Sequence, residues 1–313
     1  MIKLAKLVWE FVKADFDVKH YLITLFFTLS LLVLNYWINL ENGVIDLLPT
    51  NGPRFVGYLV LYSTAYYGAI FITAHFKKNQ SIFRNKKFWI ISAGGIFIFS
   101  ADSGFVFHQY LVDWINPSPP LNGFIYSLLS NGTEFITIAL PLFLVNRFII
   151  TNRSENLGVN RTEIDLKPFF LILLIIVPFI FFSAFESGLS NYYPTYKFGE
   201  AAKAMGVSKW IPVTLYEFFY GADFFNVELT FRGFFVIGMA AVLGREAVLP
   251  MAVFYCTIHF GKPGVEAISS LFGGYILGAI AYQTRSIWGG VIVHIGLAWM
   301  MELAAFIVKS LAS

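Results

Sequence analysis

The stretch Asn226-Val227-Glu228-Leu229-Thr230-Phe231-Arg232-Gly233 sets a carboxylate and a guanidinium four residues apart in a segment otherwise rich in Phe, Val and Met. Spacing of i, i+4 lets the two meet on one helical face. Two imidazoles, His259 and His294, follow in the next apolar segments. Ionisable groups are costly in lipid and usually face a bundle interior or a wet cavity. Glu228, Arg232, His259 and His294 therefore point to one shared polar site inside a membrane protein.

The composition agrees. The 313 residues are 57% hydrophobic and 13% charged, about half the charge of an ordinary soluble domain, and the mean hydropathy is +0.68. With long apolar runs, this predicts an all-α polytopic membrane helix bundle of eight or nine transmembrane helices. The 35 Phe suit lipid-facing surfaces. A net charge of +3 places Lys and Arg beside lipid headgroups and excludes a nucleic-acid footprint. The single cysteine, Cys256, rules out an internal disulfide and gives no basis for a Cys-based metal site.

Working outward, residues 1–20 read as an amphipathic interfacial segment with no cleavable leader: Lys3, Lys6, Lys13 and Lys19 alternate with Leu4, Val8, Trp9, Phe11 and Val12. Residues 21–186 hold the N-terminal spans, Tyr21–Ile38, Phe55–Phe76, Phe88–Ala101 with an extension toward Val112, Phe124–Asn146 and Pro168–Ala184, the last with a kink expected at Pro178. The basic cluster Lys77, Lys78, Arg84, Lys86 and Lys87 is cytoplasmic by the positive-inside rule, which puts the N-terminus in the cytoplasm of a plasma-membrane protein. Asp113–Gly123, with Pro117, Pro119 and Pro120, reads as an external loop, and Arg147–Lys167, with Arg153 and Arg161, as a cytoplasmic one. Residues 187–210 form a polar connection whose Lys197, Lys203 and Lys209 sit against the charge rule, and Gly199–Lys209 reads as an interfacial helix. Residues 211–308 hold the site. Within them Ile211–Leu243 exceeds one crossing and is expected to bend near Gly221–Asn226. Gly274 and Gly278 form a small-xxx-small packing pair.

Several partners stay open for His294, the sole ionisable group of Trp288–Met301: Glu228, His259, Glu302 or a metal. Two His and one Glu match the ligand types of a catalytic zinc, so Glu228, His259 and His294 would be the ligands if a metal is bound. The His-Glu-x-x-His signature is absent. Glu134 reads as a helix–helix hydrogen-bonding residue; Tyr216, Tyr220 and Tyr255 read as packing or interfacial residues.

The pattern resembles the CPBP family of CAAX prenyl endopeptidases and bacteriocin-processing or immunity proteins, also called Abi. Its signature is Glu-Glu-x-x-x-Arg, then Phe-x-x-x-His, then His-x-x-x-Asn. Glu228 and Arg232 match the first element, Tyr255 and His259 the second with Tyr in place of Phe, and His294 the third, over roughly residues 211–305. The resemblance implies an intramembrane endopeptidase that cuts a hydrophobic or lipidated peptide. Glu228 with His259 would activate water, His294 would stabilise the oxyanion, and Arg232 would orient Glu228. Two departures stand out. The family's first Glu, assigned to activating water, is Val227, and its final Asn, assigned to the oxyanion hole, is Ala298. Glu228, Glu217 or Glu302 would then take over the base, or the chain is a catalytically silent relative serving immunity or peptide binding. A proton-coupled transporter using Glu134, Glu228, His259 and His294 is the third reading; the inverted repeats often found in transporters are not evident.

Overall fold

The computed structural model describes residues 2–50, 52–150, 156–160, 164–186, 192–195 and 199–312. Arg153, Arg161 and Lys197 lie outside them. Every regular element among these residues is helical, and eight helical stretches are long and apolar enough to cross a membrane. The chain is an all-α polytopic bundle and an integral membrane protein.

Helix α1 (Ile2–Asp15) leads into α2 (Val18–Ile38), which Asp17 caps by accepting from the His20 amide at 2.8 Å. Helix α3 (Pro53–Phe76) starts on a proline, whose missing N–H costs nothing in the first turn. Helix α4 (Lys86–Phe105) is capped by Asn85 and stops at Val106, in the left-handed conformation, before the short α5 (Phe107–Ile115). Helix α6 (Pro119–Glu134) continues through wide π turns and α7 (Leu140–Val145) to Ile150. Next come α8 (Lys167–Glu186), which runs on through Pro178, and the seven-residue α9 (Gly199–Met205). The site-bearing part comprises α10 (Trp210–Glu228), a π-helical stretch (Leu229–Gly238), α11 (Ala240–Leu243), α12 (Val248–Thr257), α13 (Gly264–Thr284) and α14 (Trp288–Ala312).

Burial orders these helices. All ten residues of Leu229–Gly238 and all ten of α12 are buried, so these two segments form the centre of the bundle. Around them the outer helices show lipid an apolar face, as Phe26, Trp37, Phe71 and Phe179 do. Helix α13 lies against α12 where Gly274 meets Tyr255 and Gly278 meets Met251, the use read for that glycine pair. Helix α8 lies against α14, with Leu173 over Gly296 and Phe169 over Gly289.

Four expectations change. The long helix is α-helical through Gly221–Asn226 and departs from α geometry later, in the π turns after Glu228. The Pro-rich run is not all loop, because Pro119 and Pro120 open α6. Helix α1 does more than lie on a surface: Phe11 is buried, with ring contacts to Tyr275 at 5.9 Å and Tyr282 at 5.7 Å on α13. Finally, residues 156–159 dip into the protein. Leu157 is buried, the Gly158 carbonyl accepts from the Ile287 amide at 3.4 Å, and the Val159 carbonyl accepts from Trp288 Nε1 at 2.9 Å.

Gly158 combines φ +83° with a backbone so close that a Cβ would stand 2.6 Å from Ile237 Cδ1 and 3.2 Å from Ile287 N. Strain and crowding add, so Gly158→Ala should destabilise by about 1–3 kcal/mol. The melting temperature of the purified protein in detergent checks this; an unchanged value would mean the loop is not docked as described.

Candidate active site

Glu228 ends α10, and Arg232 follows one turn later in the π stretch; both are fully buried. Arg232 Nη1 stands 3.0 Å from Glu228 Oε1. His294, from α14, brings Nδ1 to 2.5 Å of the same oxygen. The contact is an ion-pair approach, in which neither Nδ1 nor Oε1 makes a hydrogen bond of normal geometry. The other ring nitrogen, Nε2, faces the Tyr255 hydroxyl at 2.8 Å. Phe224 stacks on the His294 ring at 5.7 Å and fixes its plane.

Tyr255 is the hub of the cluster. Its ring covers the Arg232 guanidinium at 4.3 Å, a cation–π contact that helps hold a charge away from water. It also meets the His259 ring edge-on at 4.7 Å. The Tyr255 carbonyl lies 3.0 Å from His259 Nδ1. A carbonyl only accepts, so this Nδ1 carries a hydrogen and His259 Nε2 keeps its lone pair. His259 sits in the connection between two spans, where burial first, and Lys262 next, hold its pKa well below the ordinary value. Sequence reasoning gave Tyr255 a packing role. The signal available was the hydroxyl that this chain adds where the family pattern has Phe.

His259, His294 and Tyr255 line a cavity of about 350 Å³, together with Tyr220, Phe224, Lys262, Glu266 and Ser270. Ile172, Ile176 and Ile180 of α8 and Leu277 and Ile280 of α13 form an apolar wall. Lys262 Nζ pairs with Glu266 Oε1 at 3.0 Å on the rim. Ala298 lines the cavity one turn beyond His294 and offers only a methyl group. Val227 packs against the apolar core. Glu228 and Arg232 are not among the lining residues; they support it from behind. The expected pairing of Glu228 with His259 is therefore replaced by pairing with His294.

The other acids stand elsewhere. Glu217 and Glu302 line a separate hollow of about 470 Å³. Glu302 lies eight residues beyond His294, about 12 Å further along the same helix, and accepts from the Thr195 amide at 2.9 and 3.1 Å. It is not the His294 partner. The Glu134 and Asp223 carboxyls lie near each other, on α6 and α10, and Asn226 donates to Asp223 at 3.2 Å.

The donor set does not suit a metal on Glu228, His259 and His294. His294 Nε2 is engaged by Tyr255, and its Nδ1 lies against Glu228 Oε1, which also faces Arg232 Nη1, so the two imidazoles and the carboxylate do not turn free donors on one point. No His, Cys, Asp and Glu among the described residues group as a three-ligand metal site.

Gly290 sits one turn before His294, directly over the Glu228 carboxylate, and a Cβ there would overlap it. Gly290→Ala should push the carboxylate off His294 and lower the melting temperature, with a cost of about 1–3 kcal/mol or more.

Residues 223–300 match the family model of type II CAAX prenyl endopeptidase Rce1-like. This stretch is similar to the Rce1-like family. The matched residues span Asp223 to Met300 and so include Glu228, Arg232, Tyr255, His259 and His294. No curated protein and no solved structure matches the chain significantly. The Rce1-like match associates the domain with CAAX-type intramembrane proteases and their relatives, which is a peptidase family.

Proposed function

We propose that this protein is an intramembrane endopeptidase of the CAAX-protease type, in which His259 serves as the general base for water. The observation that carries this reading is the unshared Nε2 of His259 on the wall of the cavity. A water between Nε2 and a substrate carbonyl would lose its proton to His259 as its oxygen attacks. The same imidazolium then protonates the departing amine. The Tyr255 O–H faces the developing oxyanion in the tautomer whose His294 Nε2–H donates to the hydroxyl. Glu228 and Arg232 are positioning residues: the carboxylate stands against His294 Nδ1 at ion-pair distance, and so holds the Tyr255–His294 pair in register. The apolar wall from α8 and α13 suits a lipidated or strongly hydrophobic peptide, and the protonatable groups sit at one end of it.

A second reading is favoured by Val227 and Ala298, which leave a binding cavity without the family's first Glu and final Asn. In that case the protein binds such a peptide without cutting it. Purified protein in lipid nanodiscs, incubated with farnesylated C-terminal peptides, separates the two by mass spectrometry. Cleavage products with wild type and none with His259→Ala support the enzyme. Retained binding with no product from either sinks it. As the missing amide would face the cavity, Ala298→Asn should raise the cleavage rate about tenfold or more, one oxyanion donor being worth roughly 10²–10³ where placement is ideal.

A further inference from the structure

We infer that Asn35 and Tyr36, at the end of α2, are positioning residues for His259: from outside the stretch that matches the family, they hold the connection on which the imidazole stands. The inference rests on His259 as the general base. Residues 258–263 join the spans Trp210–Thr257 and Gly264–Thr284, and His259 lies among them, past the end of α12. Two hydrogen bonds reach this connection from α2. Asn35 Nδ2 donates to the Phe260 carbonyl at 2.9 Å, and the Tyr36 hydroxyl donates to the Lys262 carbonyl at 2.8 Å. The Asn35 amide cannot turn over, because its Oδ1 accepts from the Glu41 amide at 3.1 Å and a backbone N–H only donates. Asn35 and Phe260 are 3% and 2% exposed, so water does not replace the first bond. Between the two carbonyls, Gly261 lies against the turn after α2: a Cβ there would stand 3.1 Å from Asn42 Oδ1 and 3.6 Å from Glu41 Cδ.

The sequence of α2 accounts for the placement. Its buried residues are His20, Thr24, Thr28, Leu32 and Asn35, three or four apart, so one stripe faces the bundle and Asn35 ends it. The contacts His259 makes for itself are local: Nδ1 meets the Tyr255 carbonyl, and its ring meets the Tyr255 ring, one turn earlier in the chain. A base works only where its lone pair meets the attacking water, and about 1 Å of misplacement can cost about 10²-fold. The charged and titratable groups around His259 are Lys262, Tyr255, Arg232 and His294, with Glu266 and Tyr220 on the cavity wall; Asn35 and Tyr36 are not among them. Loss of either clamp residue therefore acts through the backbone. The connection loosens, water reaches the ring, and the imidazole pKa rises toward its ordinary value.

Tyr36→Phe and Asn35→Leu test this in the full-length protein in detergent, with Gly158→Ala as a variant destabilised elsewhere. The first readout is the rate at which diethyl pyrocarbonate modifies His259, followed by peptide mass spectrometry across a pH series. It reports the accessibility and pKa of the imidazole and needs no turnover. The second is kcat and KM for a farnesylated peptide. Both clamp variants should label faster than wild type, with the midpoint moved up toward about 6.5, while Gly158→Ala keeps the wild-type midpoint. At similar KM, kcat should fall about threefold in Tyr36→Phe and about tenfold or more in Asn35→Leu, and the acid limb of activity should move with the labelling midpoint. If Asn35→Leu does not fold, Tyr36→Phe, which loses one hydroxyl from an exposed ring, decides. Wild-type labelling in Tyr36→Phe and in any folded Asn35→Leu overturns the clamp. An equal shift in Gly158→Ala overturns it as well, by reducing it to general loosening. Shifted labelling with no cleavage by any form leaves the clamp standing and sinks the endopeptidase reading instead.

Discussion

Glu228→Ala should lower the stability of the protein by about 3–5 kcal/mol, the cost of leaving a buried guanidinium without its carboxylate. Arg232 has no solvent exposure through which to recover hydration, and its remaining neighbour is the face of Tyr255. The same change frees His294 Nδ1, so the damage extends to the cavity wall. The double substitution Glu228→Met with Arg232→Met should recover much of the loss, since an apolar pair of similar volume often replaces a buried ion pair without penalty. Melting temperatures of the two single variants and the double variant in one detergent make the measurement. If the single and double variants melt alike, the pair does not act as a unit.

His259→Ala should reduce cleavage by about 10²–10⁴-fold, the usual contribution of a positioned general base, while the protein still folds. The pH profile carries a second, sharper expectation. An unfolded imidazole titrates near 6.5, and burial holds His259 well below that in the fold. The folded state therefore binds fewer protons than the unfolded one once pH falls through the unfolded value. The His259 contribution to stability is complete above about 6.5 and is lost as pH drops toward the folded pKa. The acid limb of activity should likewise lie below 6.5, not at it. A limb at or above 6.5 that disappears in His259→Gln would show an imidazole open to water and would remove the basis for this assignment.

How much of this could be read from residues alone depended on the kind of signal. Uncharged runs such as Tyr21–Ile38 translate into spans because length and apolarity suffice. The start of α6 was hidden because proline breaks a helix interior but suits its first turn, and only the neighbours decide which applies. The π turns at Leu229–Gly238 were not read from the residues, because an apolar run of this length fits α and π geometry alike. In the site, Glu228 and Arg232 were legible from their spacing. The choice of His294 over His259 as the Glu228 partner was not, because it depends on the relative rotation of α12 and α14. Tyr255 was hidden among aromatic residues in an apolar helix, and its importance rests on three contacts from different segments.

The docked loop around Leu157 has a consequence for where this protein can be cut. The Leu157 carbonyl lies against Gly233 and its side chain against Gly238, and the loop lies more than sixty residues upstream of the stretch that matches the family. α3, from still earlier in the chain, packs along α12, with Tyr66 meeting Phe235 and Phe254. An excised C-terminal fragment would present those glycines and those bare phenylalanines to lipid and detergent. The boundary of inherited resemblance is thus not a boundary of cooperative folding, and minimal versions of the protein should be trimmed from the far C-terminal tail inward, not from the front.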